Sequence, residues 1–345
     1  MKPGILLIRA DANLAIGTGH VMRCLALAQA WQDRGGTASL TAAELPSQLS
    51  QRMSAEGVSL NEIHVTPGGL EDANETIAHA RRLGADWVVV DGDHFGSDFL
   101  GTVRAAGFRV LLVDDFADRE CFPADVIVNP NLDDAEGPYR ARGATALVRM
   151  GLSYGMLRRE FRQAEQRKEV REAGNRILIT LGGSDPGNLT PKIVGALAHC
   201  SDLELTAIVG SGNDKVDELR DLSASHLRIL CDPPNIAQLM RDADLAIIAA
   251  GGTLWELLST GCAVLSYSRN RVQMHVVQEL SRRGVIVDLG ETRHFDPAQL
   301  VESVKELADS RLARERMATL GRGLVDGMGT TRIVEALQQS GVQGW

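Results

Sequence analysis

The sequence predicts an α/β protein of two doubly wound parallel-sheet domains, and three observations predict it. Short apolar runs alternate with amphipathic helical patterns along nearly all of its 345 residues. Two glycine-rich turns, one in each half, lie where such a run gives way to a helix. The length is generous for one core and suits two domains of ordinary size.

In the first half, the apolar runs at 4–9, 37–41, 60–65, 86–91, 109–113, 125–128 and 145–149 read as strands. In the second, the runs at 176–181, 203–209, 227–230, 244–249, 263–267 and 285–288 do. Strands that alternate with helices form parallel sheets covered on both faces. The stretch 157–174 is charged, helical in pattern and poor in apolar residues, so it reads as a connector between domains at 1–156 and 175–345. A last helical pattern, 330–339, is placed to pack across that junction. No internal repeat or low-complexity tract is evident.

Composition narrows the function classes. Hydrophobic residues make up 44% and charged residues 23%, and no apolar run approaches 18 residues, so no membrane span is expected. The N-terminus enters a strand directly and lacks the apolar segment of a signal peptide, which points to the cytoplasm. A net charge of −9 argues against a nucleic-acid partner but not against a small anion in a local pocket. The five cysteines (24, 121, 200, 231, 262) are widely spaced and form no C-x-x-C pair, so neither a disulfide frame nor a zinc site is expected.

The two glycine turns carry the chemistry. Gly251-Gly252-Thr253-Leu254-Trp255-Glu256 follows an apolar run and opens a helix. Without a Cβ at 251 and 252 a ligand can approach the backbone, and the first N–H groups of the helix point at it, which suits a diphosphate. Gly182-Gly183-Ser184-Asp185-Pro186 ends another strand and reads either as a capped turn or as the opposite side of the same seat. Glu256 lies one turn into its helix, where it either complements the helix dipole or accepts hydrogen bonds from a ribose. Gly17-Thr18-Gly19-His20 precedes the helix-like segment from Val21 to Arg34 in the other half. An imidazole at a helix start, facing an expected cleft, suits a general base near neutral pH.

Three other motifs admit a chemical reading. Gly17-Thr18-Gly19-His20-Val21-Met22 departs from G-x-G-x-x-G at Met22 and has no acid after the next strand, which disfavours a dinucleotide. Gly151-Leu152-Ser153-Tyr154-Gly155 fits a nucleophile elbow, with His275 or His294 as late partners. Asp91-Gly92-Asp93 and Asp114-Asp115 end strands and could hold a divalent cation, although no histidine and carboxylate set has ligand spacing. No metal and no cofactor are expected.

Arg9-Ala10-Asp11, Gly17 to Ala28, Val113-Asp114-Asp115, Asn129-Pro130-Asn131, Gly151 to Phe161, Gly182 to Pro186 and Gly251 to Glu256 together resemble the PseG/SpsG family, in that order, from about residue 5 onward. The resemblance implies the GT-B architecture, two Rossmann-like domains facing a central cleft, with UDP held mainly by the second. It makes His20 the base that activates water. Gly182, Gly183, Ser184, Gly251, Gly252 and Thr253 would line the nucleotide, Glu256 would hold the ribose, and Ile236 would contact uracil through its backbone. Arg9, Asp11, Gly17, Thr18, Gly19, Arg23, Asp93, His94, Phe95, Tyr154 and Gln273 fall on the sugar side. Two positions depart from the family pattern. An acid, Asp93, stands where an aromatic hydroxyl is common, and Val272 precedes Gln273 where an Asn-Gln pair is common, with Asn270 two positions away.

The function expected is therefore metal-independent hydrolysis of a UDP-linked amino or deoxy sugar at its anomeric carbon, with inversion, as in pseudaminic-type acid biosynthesis. An inverting glycosyltransferase is the first alternative, and a catalytically silent nucleotide-sugar-binding protein the second.

Overall fold

The computed structural model describes all residues except 1–2, 14, 132–135, 163–168, 183–184, 186, 211–218, 220–224 and 341–345. Gly183 and Ser184, and part of the expected connector, lie outside the described residues. Contacts divide the chain into two units, the first running through Arg162 and taking in the C-terminal helix, the second running through Asp326.

In the first unit, β1 (Ile5–Ala10), β2 (Thr37–Ala42), β3 (Ser59–Glu62), β4 (Trp87–Asp91), β5 (Arg109–Val113), β6 (Val126–Asn129) and β7 (Leu147–Met150) form one parallel sheet. Its order is β3-β2-β1-β4-β5-β6-β7. Side chains alternate across the pleat, so Leu6, Ile8, Trp87 and Val89 enter the core under the helix Gly19–Asp33. Leu7, Val88 and Val90 enter the opposite core with Phe99 and Leu100 of the helix Ser97–Ala105. Burial on both faces explains why these strands read as unbroken apolar runs. Each buried Leu, Ile or Val contributes roughly 1.5–3 kcal/mol. The helix Gly329–Ser340 adds Ile333, Val334 and Leu337 to the first core and packs on the Gly19–Asp33 helix, so it belongs to the first unit rather than to the second.

In the second unit, β8 (Arg176–Thr180), β9 (Glu204–Val209), β10 (Leu227–Cys231), β11 (Leu245–Ala249), β12 (Ala263–Ser268) and β13 (Ile286–Glu291) form a parallel sheet of order β10-β9-β8-β11-β12-β13. Ile177, Ile179, Leu245 and Ile247 share one core with the helices Leu189–Leu197 and Pro297–Asp309. All thirteen strands read from the sequence are present. Strand order reverses between β1 and β4 in the first sheet and between β8 and β11 in the second, and ligands of doubly wound sheets bind beyond the carboxyl ends at such points. Among the described residues no helix is long and apolar enough to cross a membrane.

Candidate active site

The register of the first sheet sets the site. Ala10 of β1 pairs with Asp91 of β4, so the residues that follow both strands emerge side by side at the switch point. The chain leaving β1 folds over itself, with Asn13 Oδ1 accepting from the N–H groups of Ala15 and Ile16 (both 2.8 Å), and then enters the helix Gly19–Asp33. Gly17 there takes φ +76°. Thr18 occupies the cap position without a side-chain bond to the helix.

One turn of that helix brings His20 and Arg23 over Asp91. The Asp91 carboxylate is fully buried and accepts from His20 Nδ1 at 2.6 Å and from Arg23 Nε and Nη2, both at 2.6 Å. Arg23 Nη1 continues to Asp115 at 2.8 Å, which Asn131 Nδ2 also bonds at 2.9 Å. Two carboxylates thus face one guanidinium, and the surplus negative charge falls beside the imidazole. Burial disfavours a charged His20, but the charge and hydrogen bond of Asp91, with Asp115, outweigh it and the repulsion of Arg23, so its pKa is raised above the ordinary value. Burial likewise works against ionised Asp91, yet Arg23 and His20 hold its pKa far below the usual carboxylate range. Because an ionised Asp91 only accepts, Nδ1 of His20 carries the proton, and Nε2, with no hydrogen bond among the described residues, is the lone-pair nitrogen.

A second group sits one strand away. Arg9, fully buried, donates to Asp72 from Nε (2.7 Å) and Nη2 (2.8 Å) and to Asp11 from Nη1 (2.7 Å), and its guanidinium lies 4.8 Å from the centre of the Phe95 ring. Asp11 also accepts from the N–H groups of Ala43 and Glu44 and, at 3.0 Å, from His94 Nε2. Of the other residues expected on the sugar side, Asp93 stands exposed on the lip of the loop, its pKa raised by partial desolvation. Tyr154 lies in the 3-10 turn Leu152–Tyr154, packs against the first core, and makes no hydrogen bond to the His20 group. Gln273 belongs to the second unit. Its side chain accepts from Arg269 N (2.9 Å), while its own N–H bonds the cap residue Asn270 (2.9 Å).

The serine and carboxylate motifs are engaged in other contacts. Ser153 sits inside the 3-10 turn after β7, with its carbonyl bonded by Arg332 at 2.8 Å, and no strand-to-helix elbow forms. Asp91 and Asp115 face Arg23, and Asp114 is engaged by Arg119, the Ala117 N–H and the Tyr139 hydroxyl.

In the second unit Gly182, at φ +89°, leaves β8, and Gly251 leaves the adjacent β11 in extended conformation. Gly252 opens the helix Gly252–Thr260, which has no side-chain cap. A Cβ at Gly252 would meet nothing within 4 Å. Thr253 is half-buried, and Glu256, one turn on, is buried. Ile236 opens the helix Ile236–Asp242 that follows β10. Sequence reasoning gave Asp72 no role and weighed Asp91 and Asp115 only as cation ligands, whereas the structure sets Asp91 against His20 and Arg23, and Asp115 against Arg23 and Asn131. An acid closing the strand at the switch point was the available signal for Asp91.

No family model matches the chain. It is 28% identical over 299 residues to the UDP-2,4-diacetamido-2,4,6-trideoxy-beta-L-altropyranose hydrolase of Campylobacter jejuni, a match spanning 82% of this chain and 98% of that protein. To the spore coat polysaccharide biosynthesis protein SpsG of Bacillus subtilis it is 25% identical over 235 residues, 67% of this chain and 69% of that one. The uncharacterized protein MJ1062 of Methanocaldococcus jannaschii is 26% identical over 278 residues, 77% of this chain, but the match spans only 56% of its length. Among solved structures, MurG of Acinetobacter baumannii superposes with TM-score 0.66 at 20% identity, covering 98% of this chain and 99% of that one. The spinosyn rhamnosyltransferase SpnG with thymidine diphosphate gives 0.66 at 16% identity, covering 97% and 99%. These structural likenesses show the fold, which is that of the GT-B glycosyltransferases, and the similarity in sequence to the altropyranose hydrolase and to SpsG agrees with the resemblance of the motifs to the PseG/SpsG proteins.

Proposed function

We propose that the chain hydrolyses a UDP-linked amino or deoxy sugar at the anomeric carbon, releasing UDP and the free sugar with inverted configuration. The observation that carries this reading is the pair formed by His20 Nδ1 and buried Asp91 at 2.6 Å, which leaves Nε2 as an acceptor at the carboxyl edge of the sheet. Nε2 takes a proton from water, the water oxygen attacks the anomeric carbon, and the bond to the UDP oxygen breaks. The surplus carboxylate charge of Asp91 and Asp115 stabilises the imidazolium that forms. The helix start at Gly252, with Gly182 beyond the adjacent strand, receives the charge growing on the diphosphate. Glu256 holds the ribose and the Ile236 backbone the uracil.

The relatives named for hydrolysis of a UDP-linked diacetamido-trideoxy-altropyranose and for spore coat polysaccharide biosynthesis support a sugar-nucleotide substrate. An inverting glycosyltransferase is the second reading, favoured by Asp93 and Val272, where the sugar side departs from the family pattern. Turnover of a panel of UDP-sugars in H₂¹⁸O separates them. Hydrolysis puts the label in the sugar at a rate of order 1 s⁻¹ or more. Label in UDP would mean attack at phosphorus, and turnover that waits for an acceptor would mean transfer.

Two further outcomes follow from this reading. Glu256→Ala weakens UDP by about 1–3 kcal/mol through unpaired ribose hydroxyls, without loss of the folded state. Titration calorimetry checks it, and unchanged affinity would mean that Glu256 does not hold the ribose. Activity survives exhaustive EDTA treatment, because Asp91, Asp114 and Asp115 are already engaged by guanidinium groups. Loss of activity restored by Mg²⁺ or Mn²⁺ would overturn that.

A further inference from the structure

The two histidine–aspartate pairs of the first unit are crossed. Asp91, which ends β4, holds His20 from the helix after β1, while Asp11, which follows β1, holds His94 from the loop after β4. The second pair rests on a chain of buried charges. Asp72 is fully buried and grips Arg9 with both oxygens; Arg9 is fully buried and grips Asp11; Asp11, 1% exposed, grips His94. The chain of ionic contacts ends in an imidazole that is 28% exposed. Backbone fits the same end point. Gly68, whose N–H bonds Asp72, lies so close to the His94 carbonyl that a Cβ there would stand 2.2 Å from it. Gly92, at φ +151°, would bring a Cβ to 2.8 Å from His94 Cε1.

We propose that this buried chain fixes His94 as a second sugar-side imidazole, with Nε2 donating to Asp11 and Nδ1 presented to accept a hydrogen bond from a hydroxyl or amide N–H of the bound sugar. Burial opposes ionisation of Asp11, but its hydrogen bonds to His94 and Arg9 hold its pKa far below the usual range, so it can only accept and the proton stays on His94 Nε2. His94 Nδ1 has no hydrogen bond among the described residues. Where His20 moves a proton, His94 positions and selects. This deepens the hydrolase reading and rests on it for the identity of the ligand.

Two measurements test it. In the wild-type protein with ¹⁵N-labelled histidine at pH 8, two-bond spectra should show His94 with a protonated Nε2 and a bare Nδ1. A proton on Nδ1 would overturn the proposal, whatever the substrate. With the UDP-sugar panel, His94→Gln keeps a donor for Asp11 but loses the Nδ1 acceptor, whereas His94→Asn places an oxygen near Nδ1 and gives up the Asp11 bond. The expected result is a 10-fold to 100-fold loss in kcat/KM for His94→Gln, mostly in KM, partial rescue in His94→Asn, and UDP affinity unchanged in both. His94→Gln performing as wild type, or better than His94→Asn, would mean that His94 only props Asp11, and would overturn the proposal. If wild type turns over none of the panel, the hydrolase reading fails instead, and the spectra still decide how the ring is held.

Discussion

Replacing His20 by asparagine is expected to lower turnover by about 10²–10⁴, the usual contribution of a positioned general base. UDP affinity should change little, because the residues proposed for the nucleotide lie in the second unit while His20 lies in the first. Single-turnover rates with a substrate from the UDP-sugar panel, beside calorimetry with UDP, check both halves. Near wild-type turnover would make His20 a structural histidine and end the proposed mechanism. In the wild type, kcat/KM should rise with pH through a value above about 6.5, the ordinary imidazole pKa, since the base must be unprotonated and Asp91 and Asp115 raise its pKa. The same shift has a stability signature. A raised folded-state pKa contributes stability that is fully present below the unfolded value and is lost as pH rises through the folded one. Unfolding midpoints of the wild type and His20→Asn should therefore converge toward alkaline pH.

The sequence reveals the sheets well because strands buried on both faces leave unbroken apolar runs, as Leu6-Leu7-Ile8 and Val88-Val89-Val90 do, and these survive any tertiary detail. His20 was also legible, since Gly17 and Gly19 mark a turn and Val21 to Trp31 mark the buried face of a helix. What holds His20 was not. Asp91 is 71 residues away and meets it only because β1 and β4 are neighbours with Ala10 opposite Asp91, a register that no local pattern states. Taken alone, Asp91-Gly92-Asp93 looks like a cation site; across the sheet its first acid belongs to Arg23 and His20. Arg9 and Asp72, 63 residues apart, meet only in three dimensions, and a charged residue inside an apolar strand was the one sign that a partner had to exist. The serine of Gly151-Leu152-Ser153-Tyr154-Gly155 misleads for the converse reason. Its spacing matches an elbow, but the turn is shaped by the C-terminal helix, where a Cβ on Gly329 would stand 2.2 Å from the Gly155 carbonyl oxygen.

Replacing Arg9 by methionine should produce the largest loss of stability, about 3–5 kcal/mol near neutral pH, because it removes one partner of a fully buried ionic group and leaves the carboxylates of Asp11 and Asp72 without their counter-charge. The aliphatic stem is kept, so the loss is not one of packing alone. The pH dependence separates charge from volume. In the wild type the depressed pKa of Asp11 contributes stability that is present above the unfolded value near 4 and is lost as pH falls through the folded one. In the variant burial acts without Arg9, ionisation of Asp11 is opposed, and protonation relieves the strain. Wild type therefore loses stability toward acid while the variant loses less or gains. Urea unfolding at several pH values reads the difference, which should narrow as the pH falls from 7 through about 4 and below. A gap that stays constant across that range would show that Arg9 acts through its contact with Phe95 and its volume, not by neutralising the two acids.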